Sequence, residues 1–150
     1  MGDLEIRAAV TEDIPAIVGM LADDPLGSQR ESPEDLTPYL AALERLAADP
    51  NQHLVVAVRE GRVVGTLQLT IVPGLSRKGA TRSIIEAVRI HADERGSGLG
   101  TQLIEWAIDE SRRQDCQLVQ LTSDVTRTDA HRFYERLGFT ASHVGFKLPL

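Results

Sequence analysis

One short segment of the chain alternates glycine with other residues and has the composition of an anion-binding loop. It reads Arg95-Gly96-Ser97-Gly98-Leu99-Gly100 and lies between a predicted strand and a predicted helix. Glycine tolerates positive φ and lets a ligand approach the backbone closely. Free backbone N–H groups and the dipole at the start of a helix attract anions. The segment therefore predicts a site for a phosphate group, most naturally a pyrophosphate.

The spacing of these glycines argues against two common nucleotide motifs. A P-loop requires lysine after its last glycine, and Thr101 follows Gly100 here. A dinucleotide fingerprint has the spacing G-x-G-x-x-G, whereas this loop has G-x-G-x-G. The loop taken by itself also leaves a third reading open, in which the glycines serve only the packing of a tight turn.

A second segment, downstream of the loop, resembles the later motif of a known family. It reads Asp129-Ala130-His131-Arg132-Phe133-Tyr134-Glu135-Arg136-Leu137-Gly138-Phe139. The loop and this segment together resemble the GNAT superfamily of N-acetyltransferases. The family's loop has arginine or glutamine, then two spaced glycines, which are Arg95, Gly98 and Gly100 here. The later motif, N-x-x-A-x-x-F-Y-x-x-x-G-F, is matched at Ala130, Phe133, Tyr134, Gly138 and Phe139, but Arg127 replaces its asparagine.

This resemblance implies transfer of an acetyl group from acetyl-CoA to an amine. In the family two neighbouring parallel strands splay apart, and the pantetheine arm pairs with strand backbone in the gap. By position the strand contributes Val88, Arg89 and Ile90, and the pyrophosphate lies on Arg95, Gly96, Ser97, Gly98, Leu99 and Gly100. Arg127 either reaches a phosphate or is a solvated surface residue.

The resemblance also implies direct attack by the amine through a tetrahedral intermediate. Tyr134 occupies the position of the general acid that protonates the leaving thiolate. The alternative for Tyr134 is simple aromatic packing beside Phe133 and Phe139. Glu86 is a candidate base because it lies on the cofactor strand with the parity of Val88 and Ile90. Its alternative is a salt bridge with Arg82 or Arg89, and His91, Asp124 or water are weaker candidates.

The pattern of apolar residues predicts one α/β (α+β layered) domain over residues 1–150 with a GNAT-like mixed central sheet. The predicted order is β-α-α-β-β-β-α-β-α-β, with splayed strands at the cofactor site. Thr11 is predicted to cap the first helix and Ser32-Pro33 to begin the second, which runs to about Ala48. The later elements are predicted at 54–59, 62–72, 84–90, 99–113, 118–122, 129–137 and 139–148.

The charge and composition of the chain limit the classes of partner that we expect. The chain has 150 residues, a net charge of -6, one cysteine and four scattered histidines, so we expect neither a metal site nor a nucleic-acid partner. No signal peptide or apolar span is visible, so we expect a soluble cytoplasmic protein. A homodimer is plausible from the family. Acids near the first two helices form a solvated face or line a site for a cationic amine, whereas Arg77, Lys78 and Arg82 suit an anionic group on the acceptor or the coenzyme's 3′-phosphate.

The function predicted from the sequence is acetyl-CoA-dependent acetylation of the amine of a small molecule. The alternatives are a non-catalytic acyl-CoA-binding module, a protein or peptide N-acetyltransferase, and a small nucleotide hydrolase. Tyr134 argues against the first of these, and the missing lysine after Gly100 argues against the last.

Overall fold

The computed structural model describes residues 2–150, which divide into two compact units. One unit extends to Gln120 and the other is Leu121–Leu150. The single domain predicted for residues 1–150 stays a prediction. The elements are β1 (Leu4–Ala8), α1 (Ile14–Ala22), α2 (Thr37–Ala47), β2 (Gln52–Arg59), β3 (Arg62–Val72), β4 (Arg82–Ile90), α3 (Leu99–Arg113), β5 (Leu118–Leu121) and α4 (Thr128–Arg136).

The five strands form one sheet in the order β1-β2-β3-β4-β5, and its first three pairings are antiparallel. The predicted hairpin between β2 and β3 turns at Glu60 and Gly61, whose φ values of 52° and 76° are those of a type I′ turn. β5 begins beside the start of β4, since the N–H of Gln117 donates to Thr81 O at 2.9 Å. With helix α3 between them, these two strands form a parallel crossover. The predicted α/β fold with a mixed sheet is confirmed.

Helices cover both faces of the sheet. Ile14, Ile17 and Val18 of α1 pack against Val56, and α2 adds partly buried side chains to this layer. On the other face, a Cβ at Gly65 would lie 2.8 Å from Leu103 of α3, so this glycine permits close helix packing. The hydroxyls of Ser83 in β4 and Ser111 in α3 share a buried hydrogen bond of 2.7 Å. The two faces are called below the α1 face and the α3 face.

The start of α1 differs from the prediction, because Thr11 does not cap it. Thr11–Asp13 form a short 3-10 turn, and Asp13 is the residue whose carboxylate organises this region. Asp13 Oδ2 accepts hydrogen bonds from the N–H of Val10 at 2.8 Å and from Arg7 Nη1 at 2.7 Å. Arg7 Nη2 donates to the other carboxylate oxygen at 3.1 Å. The Arg7 guanidinium lowers the pKa of Asp13 below its usual value, against a smaller opposing effect of burial.

We expect Asp13→Asn to lower the free energy of unfolding at neutral pH by about 1 to 3 kcal/mol, because charged hydrogen bonds to a buried carboxylate are lost. The pKa of Asp13 is lowered on folding, so its contribution is present above the unfolded pKa and is lost as pH falls through the folded pKa. The stabilities of variant and parent should converge in strong acid. Glu5→Gln is the control, since Glu5 also approaches Arg7 but is 68% exposed, and its Tm should match the parent's. Urea unfolding at several pH values measures both effects, and a difference that persists in strong acid contradicts the assignment.

The second helix begins at Thr37, so the predicted start at Ser32-Pro33 is wrong. Ser32 Oγ donates to the carbonyl of Asp35, and Asp35 Oδ1 accepts from the N–H of Thr37 at 3.1 Å. These short polar contacts close a turn ahead of the helix instead of capping its first residues. The proline of the first helical turn is Pro38.

The predicted last strand over 139–148 is also wrong, because residues 139–150 have no regular secondary structure. Their apolar residues alternate as in a strand, yet Val144, Phe146 and Leu148 are 79%, 91% and 83% exposed. Alternation identifies which side chains share a face, but a strand also needs a neighbour to pair its backbone groups.

Candidate active site

β4 carries a bulge at the position where the resemblance places the reacting groups. Thr66 is opposite Arg89 and Gln68 is opposite Glu86, so Ala87 and Val88 together face only Leu67. Ala87 has a φ of 54°, which is strained for a residue with a Cβ. A bulge takes backbone groups out of the ladder and redirects them. A bulge is therefore a position at which backbone N–H groups can contact a ligand.

The bulge also overturns the predicted parity of Glu86. Glu86 and Arg89 have cross-strand partners on the α1 face, whereas Ile90 lies opposite Gly65 on the α3 face. Glu86 therefore does not share a face with Ile90. It is exposed, as is Ala87, although β4 has a neighbouring strand on each side. The helices of the α1 face leave this part of the sheet open.

Val88, Arg89 and Ile90 lie at the end of β4, separated from the glycine loop by residues 91–94, and all three are half-buried. β4 has nine residues and β5 has four, and the two strands begin side by side. β4 therefore continues past the end of β5, and its last residues are beyond the reach of strand pairing on that side. The predicted splay between the two strands stays a prediction.

The side chain of Arg89 binds an acidic residue that the sequence did not pair with it. Arg89 Nε lies 3.3 Å from Asp24 Oδ2, and these side chains are 19% and 17% exposed. Arg89 Nη1 also donates to the carbonyl of Val88 at 2.9 Å. Asp24 Oδ1 in turn accepts from the N–H of Gly27 at 2.6 Å. The segment after α1 is thereby attached to the end of β4.

The glycine loop has the backbone that an anion site needs. Gly96 and Gly98 have φ values of 81° and 86°, and a Cβ at either would meet no atom within 4 Å. Space is therefore open above both residues. Gly98 precedes α3, Gly100 is its second residue, and Leu99 is 1% exposed and fixes the helix start in the core. The N–H groups of the first turn have no partner within the helix.

Two ion pairs link the loop and the residue before it to β2 and to the segment after α1. Arg59 Nη1 contacts both carboxylate oxygens of Glu94, at 3.0 and 2.8 Å, and both side chains are largely buried. Ser97 Oγ donates to the carbonyl of Glu94 at 2.6 Å. Arg95 Nη2 lies 3.3 Å from Asp23 Oδ2, but this pair is exposed. An open depression of about 670 Å³ is lined in part by Asp23, the partner of Arg95, and by His91, which follows β4.

The second unit holds Tyr134 and Arg127. Tyr134 lies on α4 between Phe133 and Phe139, whose ring centroids are 5.2 and 5.9 Å from its own in edge-on arrangements. Gly138 follows the helix with a φ of 98°, as predicted for its end. Arg127 immediately precedes α4, and its N–H donates to Asp124 O at 3.0 Å. The roles of Tyr134 and Arg127 stay predictions.

Comparison with known proteins agrees with this geometry. The family model described as the acetyltransferase (GNAT) family matches residues 15–139. The chain belongs to the GNAT family and is an acetyltransferase, as predicted.

Several proteins resemble it over nearly its whole length. An aminoalkylphosphonate N-acetyltransferase of Salmonella typhimurium is 34% identical, with 97% of this chain and 91% of that protein covered. A crystal structure described as a transcriptional regulator from Bacillus halodurans is 44% identical, with a TM-score of 0.95 and coverage of 99% and 100%. An acetyltransferase structure from Trypanosoma brucei is 30% identical, with a TM-score of 0.75 and coverage of 99% and 100%.

Residues 2–150 contain no group of three or more His, Cys, Asp or Glu side chains placed to hold a metal ion. None of the helices described in that range is long and apolar enough to cross a membrane.

Proposed function

We propose that this chain transfers the acetyl group of acetyl-CoA to the amine of a small molecule, by direct attack, within a single domain of residues 1–150. The observation that carries the proposal is the glycine loop with positive φ at Gly96 and Gly98, which follows a bulged strand after a single short turn. One feature suits a pyrophosphate and the other an acyl group. A cytoplasmic location and a homodimer remain predictions.

The residues present fit the coenzyme. The open space above Gly96 and Gly98 admits a pyrophosphate, which the first N–H groups of α3 and the side chain of Arg95 would hold. The main chain of Val88, Arg89 and Ile90 would pair with the amide groups of the pantetheine arm, as in strand addition. Arg127 is proposed as a further phosphate contact.

The coenzyme supplies an acetyl group activated as a thioester. The chain's contribution begins at the bulge, where backbone N–H groups released from the ladder would donate to the carbonyl oxygen as negative charge develops on it. Such donors are already fixed by the fold and need no reorganisation during the reaction. This is the first of three tasks for the chain.

The second task is to remove a proton from the amine, since an alkylamine has a pKa near 10.4 and is protonated at neutral pH. We assign this to Glu86, which is exposed on the open α1 face next to the bulge and can accept the proton directly or through water. The third task is to protonate the leaving sulfur. The family motif gives this role to Tyr134, because a tyrosine hydroxyl has a proton that it can donate to sulfur.

The names of two relatives favour a small acceptor. One is the aminoalkylphosphonate N-acetyltransferase, and another, 38% identical over 90 residues, is a glucosamine 6-phosphate N-acetyltransferase of Trypanosoma brucei. Both names specify a small amine. Acetylation of a protein or peptide amine is the alternative, and an acceptor screen distinguishes the two.

We expect acetyl-CoA at one hundred times its Kd to stabilise the native chain by about 2.7 kcal/mol in thermal unfolding. Gly98→Ala should weaken binding about tenfold or more, because the added Cβ strains φ and occupies the space above the loop. Gly61→Ala is the matched control, since Gly61 also has positive φ and open space but lies in the β2–β3 turn. The Gly61→Ala variant should have a lower free energy of unfolding than the parent, but acetyl-CoA should stabilise it as much as it stabilises the parent. No stabilisation of the parent at millimolar acetyl-CoA would refute the proposed function.

A further inference from the structure

The part of the chain that forms β3 and the start of β4 is unusually basic. No acidic residue occurs between Glu60 and Glu86, although the whole chain has a net charge of -6. This stretch contains Arg62, Arg77, Lys78 and Arg82. Arg62 pairs with Asp93 at 3.7 Å. The other three form no ion pair with any of residues 2–150, so their charge is available to a ligand.

The strand register places Arg82 and Glu86 on the same open surface. Arg82 lies opposite Val72, Ile84 opposite Thr70 and Glu86 opposite Gln68, all on the α1 face. Gln52 Oε1 accepts from Gln68 Nε2 and Thr70 Oγ1, each at 2.9 Å, which gives this surface a fixed polar floor. Arg82 and Glu86 are four residues apart, or about 13 Å between their Cα atoms. An acceptor that contacts both side chains must therefore span a distance of this order.

The turn before β4 holds two more cations near Arg82 in an unfavourable backbone conformation. Arg77 and Lys78 have φ values of 55° and 63°, and Gly79 follows at 74°. The turn is closed by the N–H of Gly79 donating to Leu75 O at 2.9 Å. Left-handed backbone costs about 1–2 kcal/mol per residue with a Cβ. Such strain collects at binding sites.

These cations suit either an anionic group on the acceptor or the coenzyme's 3′-phosphate. The direction of β4 decides between these two ligands. Arg82 is the first residue of the strand, and the glycine loop follows its last residue. The cations therefore lie at the opposite end of β4 from the proposed pyrophosphate site, with the bulge between them. They are placed for the acceptor and not for the coenzyme's 3′-phosphate.

We infer that the acceptor is an amine that carries an anionic group, a phosphate, phosphonate or carboxylate, bound by Arg82 with help from Arg77 and Lys78. Its ammonium lies at Glu86, beside the bulge. Arginine presents a planar set of donors that matches such anions. The guanidinium lies beside Gly74, since a Cβ built there would be at an ordinary contact distance of 3.9 Å from Arg82 Nη1. The same cations repel polyamines. This inference rests on the proposed function.

The test compares acceptors of matched length in a thiol-release assay with acetyl-CoA. The probes are an ω-aminoalkylphosphonate, the ω-amino acid of equal length and the plain n-alkylamine. We expect kcat/KM to be about tenfold or more higher for at least one anionic acceptor than for the alkylamine. A larger value for the phosphonate than for the carboxylate identifies the preferred anion. Equal kcat/KM values for all three acceptors, or a higher kcat/KM for the alkylamine, would overturn the inference.

The residue assignment is tested with Arg82→Gln. The variant should lose about tenfold or more in kcat/KM for the preferred anionic acceptor, chiefly through KM, and keep its activity with the alkylamine. Arg82→Lys should restore part of the loss. Arg112→Gln is the control for net charge, since Arg112 lies exposed on α3 and pairs with Asp109 on the same helix. Equal losses with anionic and plain amines would contradict a role in anion binding.

Failure of this inference and failure of the proposed function give different results. Thiol release with the alkylamine but no preference for an anion leaves the acetyltransferase reaction intact and removes only the inference. If no amine releases thiol and acetyl-CoA gives no thermal stabilisation, both are wrong. The thermal midpoint of each variant shows that a loss of activity is not a loss of fold.

Discussion

Tyr134→Phe is expected to lower kcat by about a hundredfold or more while acetyl-CoA binds with nearly unchanged affinity. General acid catalysis is worth about 10²–10⁴ in rate, and the variant removes only the hydroxyl. The ring remains, so the edge-on contacts with Phe133 and Phe139 are preserved. A loss confined to kcat therefore reports on proton transfer and not on packing.

The control uses the chain's second tyrosine. Tyr39 donates its hydroxyl proton to Glu31 Oε1 at 2.8 Å and accepts from the N–H of Ser32. Tyr39→Phe should reduce stability slightly and leave kcat unchanged. Measurement of kcat for both variants, with acetyl-CoA affinity from thermal unfolding, completes the test. An unchanged kcat in Tyr134→Phe would show that another group, or water, protonates the thiolate.

The largest loss of stability is expected from Gly27→Ala. A Cβ at Gly27 would overlap the carbonyl oxygen of Leu21, which is backbone of α1 and cannot rotate away. We expect a cost of about 3 kcal/mol or more, because overpacking against backbone forces the segment to move. Activity should also fall, since the N–H of Gly27 fixes Asp24, and Asp24 binds Arg89 at the end of β4.

Gly19→Ala is the matched substitution. Gly19 lies within α1, and a Cβ there would meet no atom within 4 Å. Alanine should therefore be neutral or stabilise the chain by about 0.5–1 kcal/mol, through its higher helix propensity. Urea unfolding of both variants gives the comparison. Similar effects of the two substitutions would show that the segment after α1 adapts freely.

Features that depend on local sequence were predictable. The glycine loop, the Glu60-Gly61 hairpin and the end of α4 at Gly138 each follow from residues with particular backbone preferences. The start of α2 was not predictable from local sequence, because Ser32-Pro33 and Thr37-Pro38 both have the composition of a helix start. Only the contacts of Asp35 and Tyr39 select the second. The alternation in residues 139–150 was misleading because strand formation depends on a partner.

The site itself was predictable in its position and not in its side-chain geometry. The loop and the end of β4 are where the motif places them. The ion pair between Arg89 and Asp24 joins residues distant in the sequence, and no spacing rule indicates it. The bulge at Ala87 is equally hidden, since Ala-Val between Glu86 and Arg89 also suits a regular strand.

Because of that bulge, the alternation of side chains between the two faces of the sheet shifts by one residue within β4. Before Ala87 the even-numbered side chains Arg82, Ile84 and Glu86 are on the α1 face, and after it the odd-numbered Arg89 is. Deleting one residue at this point would remove the bulge but leave Glu86 opposite Gln68 and Arg89 opposite Thr66, so both halves of the strand would keep their present faces. Designs that graft a new acceptor pocket onto this sheet must therefore restart the inside–outside count at Ala87, or they will build half of the pocket into the core.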